Sequence, residues 1–169
     1  MAEHALGVEI VTPEEVLFAG AANSVVTATS EGDLTVMADH AELVGDVVPG
    51  VVKIEVEGEP TIAILIHGGF LQVTTAAGAA SGLVEGASET DRTTRVTILA
   101  GVAEKATDID KGRAEAAKAA AEVKLADLRS QSGRTGDDDS TRDALLDLAD
   151  AEAALARAEL RLGTSAVLS

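Results

Sequence analysis

There is no cysteine in this chain of 169 residues, and no tryptophan or tyrosine; two phenylalanines are its only large aromatic side chains. Disulfides and thiolate chemistry are thereby excluded, and a reducing compartment suits such a chain. With so few rings, valine, isoleucine, leucine and alanine must build the core. The 46% hydrophobic content suffices for one main domain and a small appendage. Basic residues are scarce too, 13 Lys and Arg against 29 Asp and Glu, for a formal net charge of −16. Nucleic acid is not an expected partner, because phosphate binding needs clustered Lys and Arg to displace counterions. A simple electrostatic grip on anionic lipid is excluded on the same ground. Long apolar runs are missing as well. The strongest, Ile62 to Ile66 with Phe70 and Leu71 nearby, is interrupted by His67-Gly68-Gly69 and falls well short of the ~20 residues a spanning helix needs. The opening residues, Met1 to Leu6, have neither the basic nor the apolar region of a signal peptide, so no leader is expected. Membrane association is expected only through a protein partner.

Catalytic patterns are also lacking. The chain has three histidines, no HExxH spacing, no phosphate-cradling loop ending in Lys-Ser or Lys-Thr, and no Gly-x-Ser-x-Gly elbow. His40 has Asp39 beside it but no paired nucleophile, and His67 precedes a glycine pair that suits a turn. Asp137-Asp138-Asp139 lacks the alternation and terminal glutamate of a calcium loop and reads as a solvated charge run. No metal site and no catalytic residue is expected.

What is present falls into two parts. From Leu6 to Val73, short β-branched runs alternate with turn residues: Val8 to Val11, Val25 to Thr29, Leu34 to Met37, Val51 to Val56, Ile62 to Ile66 and Phe70 to Val73. Their spacing predicts a β-sandwich or barrel. Residues 74–95, rich in Ala, Gly and Ser and then polar, read as an exposed loop before Val96 to Ala100. From Thr107 the period becomes helical. Thr107 with Asp110 resembles a capping box, Ala114, Ala117, Ala121, Leu125 and Leu128 form one stripe, and residues 130–140 read as a loop. Leu148, Ala151, Leu155, Ala158 and Leu162 form a second seam, so the two helices make an antiparallel hairpin. Alanine dominates both stripes and each buried methylene contributes only ~0.8 kcal/mol, which makes the hairpin marginal. Asp110 and Arg113, three apart in the first turn, read either as a local pair worth ~0.2–0.5 kcal/mol or as part of a nucleotide site in which Arg113 meets phosphate.

Seven stretches, taken in order, carry a family resemblance: Val8 to Pro13, Glu31-Gly32-Asp33-Leu34, His40 to Val44, Pro49-Gly50, Gly68 to Val73, Val96 to Ala100, and the Ile-Asp-x-x-Arg-Ala motif at Ile109 to Ala114. Together the chain resembles the epsilon subunit of bacterial F-type ATP synthase. The resemblance implies a flattened β-sandwich domain at 1–102, with the exposed loop at about 74–95, and a C-terminal antiparallel two-helix hairpin at 103–169. It implies a non-catalytic central-stalk (rotor) subunit of a proton-transporting complex at the cytoplasmic face of the bacterial plasma membrane. Its partners would be the gamma subunit, the c-subunit ring and the α/β catalytic head. Docking on gamma and the c ring would couple proton-driven rotation to ATP synthesis, and the hairpin would restrain ATP hydrolysis.

The residues implied at the c-ring and rotor interface are Glu31, Gly32, Asp33 and His40, although the Pro-Gly usual before His40 is Ala38-Asp39 here. No cofactor is required. Some members bind ATP as a regulatory ligand, and those contact positions map onto Glu104, Ile109, Asp110, Arg113, Ala114, Arg157 and Arg161, with Ala120 where an arginine is usual. A guanidinium contact with phosphate is worth ~1.5–3 kcal/mol, so its loss weakens such a site. From Thr141 to Leu162 there are three bases against five acids. That balance gives no net pull toward an acidic partner, and weak inhibition or inhibition by apolar contact is expected. A stand-alone nucleotide-sensing module is the alternative reading.

Overall fold

A computed structural model describes residues 6–77, 92–131 and 138–167. Ten strands come first: β1 (Leu6–Val11), β2 (Val16–Ala22), β3 (Ser24–Thr29), β4 (Gly32–Met37), β5 (Leu43–Val47), β6 (Gly50–Glu55), β7 (Ile62–Ile66), β8 (Gly69–Ala77), β9 (Arg92–Ala100) and β10 (Ala103–Lys105). A 3₁₀ turn at Ala106–Asp108 leads on to α1 (Lys111–Gln131), and α2 (Asp138–Val167) completes the described chain. Two compact units result, Met1–Thr107 and Asp108–Ser169.

Hydrogen bonding in the first unit runs β10-β7-β6-β3-β5-β8-β9-β1-β2, with β4 on the other side of β3. β3 meets β5 through one residue pair, Thr29 with Val47, so the path divides there into the two layers of a sandwich. Period-two alternation explains the core. Val8 and Ile10 of β1, Leu71 and Val73 of β8, and Val96 and Ile98 of β9 face Val25, Val36, Val52, Ile54, Ile64 and Ile66 of the other layer, and all are fully or almost fully buried. Each such side chain contributes about 1.5–3 kcal/mol on leaving water. β1 pairs antiparallel with β2 and parallel with β9.

Several expectations change at their edges. The β8–β9 ladder runs from Gly69 opposite Ala100 to Ala77 opposite Arg92. Thr74 to Ala77 and Arg92 to Arg95, expected in the loop at 74–95, are therefore strand, and Thr93 and Thr94 are buried. Threonine is β-branched and fits a pleated surface, which outweighs its polarity here. Residues 78–91, the rest of that loop, lie outside the described residues. Residues 103–105 pair with β7, so the sandwich extends beyond the expected end at residue 102. β2, β5 and β10 were not among the expected strands.

The hairpin starts later than the capping-box reading places it. Asp110, not Thr107, caps α1: the Arg113 backbone N–H donates to Asp110 Oδ1 at 3.0 Å, and the Ala114 N–H to Asp110 O at 3.0 Å. α1 and α2 pack antiparallel, with Lys118 Nζ 3.0 Å from Glu159 Oε1 and Arg129 Nη2 3.2 Å from Glu152 Oε1. Ala114, Ala121 and Leu125 of α1 and Ala151 and Ala158 of α2 are buried in it, while Ala117 is exposed. Ser130 and Gln131 belong to α1 and Asp138 to Ser140 to α2, which leaves only 132–137 of the expected loop outside the described residues. Among the described residues no helix is long and apolar enough to cross a membrane.

Candidate functional site

The outward side of the β5-β8-β9-β1-β2 layer breaks the rule of polar residues facing water. Register places Asp46, Phe70, Leu99, Val11 and Val16 in one row across five strands. Phe70 is 65% exposed, Leu99 53% and Val16 58%, and Val44, one outward position along β5 from Asp46, is 75% exposed. Beside Leu99 lies a shallow depression of about 380 Å³ lined by Val11, Thr12, Pro13, Leu99, Ala100 and Gly101. An apolar row this continuous marks a contact surface.

At its β5 end the row runs into a groove of about 330 Å³ between β4 and β5, whose lining includes Glu31, Gly32, Asp33, Leu34, Val44 and Asp46. The β3–β4 turn forms its lip. Gly32 adopts φ +122°, a conformation that favours glycine. Thr29 Oγ1 donates to Gly32 O at 2.8 Å and accepts from the Glu31 N–H at 3.2 Å, and Ser30 Oγ donates to Asp46 Oδ1 at 2.7 Å. Glu31 and Asp33 are thus presented on a fixed turn, exposed to solvent. No group of side chains among the described residues is arranged to hold a metal ion.

His40 lies elsewhere. It follows β4, whose six residues at ~3.3 Å each separate it from the Glu31–Asp33 turn by about 20 Å of strand. Its loop is pinned by the Asp39 N–H to Thr94 Oγ1 at 2.8 Å and the Thr75 N–H to Glu42 Oε1 at 3.0 Å. Asp39 has φ +62°, a left-handed conformation that glycine adopts more readily. The structure therefore places the four expected interface residues at the two ends of β4.

The nucleotide-type positions divide between the two units. Glu104 is on β10, its Oε1 3.5 Å from His67 Nε2. Asp110 serves as the α1 cap through the Arg113 backbone N–H, and the Arg113 side chain is exposed; Ile109 is half-buried and Ala114 sits in the helix seam. On α2, Arg157 is exposed and Arg161 half-buried, one helical turn apart. The Lys118–Glu159 and Arg129–Glu152 pairs set a register that brings these two arginines level with the stretch of α1 around Ala120, which is exposed.

The apolar row and the His67–Glu104 pair were not foreseen. The row depends on cross-strand register, and β2 and β5 were unrecognised. Phe70 and Leu99, outward positions occupied by large apolar residues, were the signal that could have shown it.

A β-sandwich with an exposed apolar row, followed by a helical hairpin, defines the class of small sandwich-and-hairpin proteins. A family model described as "ATP synthase, Delta/Epsilon chain, beta-sandwich domain" matches residues 5–77. The chain is 34% identical over 126 residues to the ATP synthase epsilon chain of Pelotomaculum thermopropionicum, covering 75% of this chain and 80% of that one. It is 33% identical over 157 residues to ATP synthase epsilon chain 1 of Methylococcus capsulatus, covering 93% and 89%. The chain belongs to the ATP synthase epsilon chain family. A chain in the structure of the Euglena gracilis mitochondrial ATP synthase shares its fold, with a TM-score of 0.64 at 20% identity over 99% of this chain and 83% of that one.

Proposed function

We propose that this chain is a central-stalk subunit of a proton-translocating ATP synthase, held at the cytoplasmic face of the bacterial plasma membrane through its partners. The sandwich docks on the gamma subunit and the c ring, coupling rotation to ATP synthesis, and the hairpin restrains ATP hydrolysis by the α/β head. The observation that supports this most is the apolar row Phe70-Leu99-Val11-Val16 leading into the Glu31–Asp33 groove. An apolar strip beside a polar, acidic lip suits a partner that offers apolar area to one part and hydrogen bonds to the other. His40, at the far end of β4, extends the contact face in this reading.

The reading is tested by adding the chain back to the cognate catalytic head depleted of this subunit. Full-length chain and a chain ending after Thr107 both bind, and the Phe70→Asp, Leu99→Asp double variant does not while keeping its strand circular dichroism. Binding by that variant as tight as wild type would sink the docking surface; failure of the unmodified chain to bind would sink the assignment to the stalk. Suppression of hydrolysis by the full chain alone assigns inhibition to the hairpin.

ATP as a regulatory ligand would be held by Arg113, Arg157 and Arg161, with Ile109, Asp110 and Ala114 forming the α1 end of the site. The level arrangement of Arg157 and Arg161 supports this, and Ala120 works against it. Calorimetry of the full chain with ATP is the direct test, and micromolar affinity would favour the nucleotide-sensing alternative.

A further inference from the structure

The loop that carries His40 is held from outside. Residues 38–42 join β4, which hydrogen-bonds to β3, to β5, which pairs with β8, so they cross between the layers of the sandwich. Past a turn at 38–39 they belong to no helix or strand. Their backbone is nonetheless an uncommon one. Asp39 is the one non-glycine among the described residues with a positive φ, +62°. A residue with a Cβ stays in that region only where its surroundings keep it there.

What keeps it there is one rung of the β8–β9 ladder. The pairing of β5 with β8 stops at Leu43 opposite Val73, whereas β8 and β9 stay paired as far as Ala77 opposite Arg92. Thr75 and Thr94, cross-strand partners in that ladder, therefore stand just beyond the reach of β5. On the β8 side a side chain takes the place of the strand: the Thr75 N–H donates to Glu42 Oε1 at 3.0 Å. On the β9 side Thr94 Oγ1 accepts the Asp39 N–H at 2.8 Å. Thr94 shares the inner face of β9 with Val96 and Ile98 and is almost as deeply buried, so this second pin is anchored in the core. Within the loop, the His40 N–H donates to Met37 O at 3.2 Å, and the ring Nδ1 donates to Ala41 O at 2.9 Å. A carbonyl oxygen only accepts, so Nδ1 carries the proton and Nε2 is the ring nitrogen left for an outside group.

We propose that the Thr75–Thr94 rung is a clamp that presets the 38–42 loop for docking, with Thr94 and Glu42 as positioning residues for His40. The two pins fall at Asp39 and Glu42, on either side of His40. A contact loop fixed before its partner arrives loses little further freedom on binding, so more of the contact energy appears as affinity. β9 carries both the Thr94 pin and Leu99 of the apolar row, so one strand sets the loop and the row together. The clamp is read on the chain alone; its role in docking rests on the reading of His40 as a contact residue.

The test joins residue-resolved amide hydrogen exchange on the full chain to its binding by the catalytic head that retains gamma and lacks this subunit. Thr94→Val keeps the shape of the side chain and removes its oxygen; Thr94→Ser keeps the oxygen. Loss of one hydrogen bond predicts about tenfold faster exchange at the Asp39 amide in Thr94→Val, with Thr94→Ser near wild type and the Val96 and Ile98 amides unchanged. Glu42→Ala does the same at the Thr75 amide. In binding, Thr94→Val and His40→Ala each weaken affinity about tenfold, Thr94→Ser restores it, and the double variant is no weaker than His40→Ala alone. Asp39 exchange unchanged by Thr94→Val refutes the clamp, as does failure of Thr94→Ser to restore it. Faster exchange with undiminished binding, or full additivity with His40→Ala, refutes the positioning role. If His40→Ala itself leaves binding intact, the docking role of His40 falls and the positioning role with it, while Asp39 exchange still decides the clamp.

Discussion

Two glycines show how one substitution takes opposite signs in this chain. Gly69 begins β8 opposite Ala100, and a Cβ there would run into the Leu99 carbonyl oxygen, which is backbone and cannot step aside. Gly112 lies in the first turn of α1, where a Cβ would meet only Asp110 Oδ1 at 3.4 Å. Gly69→Ala is therefore expected to destabilise the sandwich by about 1–3 kcal/mol, as overpacking does. Gly112→Ala should stabilise the hairpin by up to about 1 kcal/mol through helix propensity and a stiffer unfolded chain. Urea unfolding of the two variants gives both signs, and a stabilised Gly69→Ala would contradict the close approach. Asp39 belongs with these. Its left-handed backbone falls at the position where the family resemblance expects glycine, so the departure visible in the sequence is met by local strain in the loop and not by a different fold.

Among the elements, the hairpin is the one with the least to hold it. Its seam is mostly alanine, and Leu125 is the largest fully engaged side chain on α1. Leu125→Ala should cost about 2–5 kcal/mol, enough to unfold the helices while β8 and β9 stay protected. Hydrogen exchange resolves this, and loss of protection in both units together would mean that the units are not independent. The Lys118–Glu159 pair adds a pH signature. The hydrogen bond to Glu159, and then its charge, hold Lys118 above its ordinary 10.5. A raised folded value means that the stabilisation is complete below the unfolded pKa and disappears as pH rises through the folded one. Hairpin helicity should therefore be insensitive to this pair at pH 7–9 and weaken above about 10.5 in wild type, with no such step in Lys118→Met.

For the whole molecule, the charge of −16 and the acid excess on α2 argue that any inhibitory grip on the catalytic head is not electrostatic. Arg157→Ala with Arg161→Ala should leave suppression of ATP hydrolysis within about twofold of wild type. A large relief of ATPase activity would refute that account. Much of this organisation was legible in the chain. Val8/Ile10 and Val96/Ile98 show their strands by periodicity and Ala151/Ala158 their seam, because local side-chain spacing reports which face is buried, while Ile62 to Ile66 shows its strand as a short unbroken apolar run. Pairing is different. Nothing local tells β1 to lie parallel to β9, sets Phe70 beside Leu99, or brings His67 to Glu104 across a strand of three residues. Those contacts join residues far apart in the chain, and their register comes from packing two sheets against one core. The β-to-helix order, the acidic character and the absence of thiol and aromatic chemistry were settled residue by residue. The apolar row, the separation of His40 from Asp33 and the approach of His67 to Glu104 arose only when the strands found their partners, because cross-strand neighbours are a property of register and not of composition.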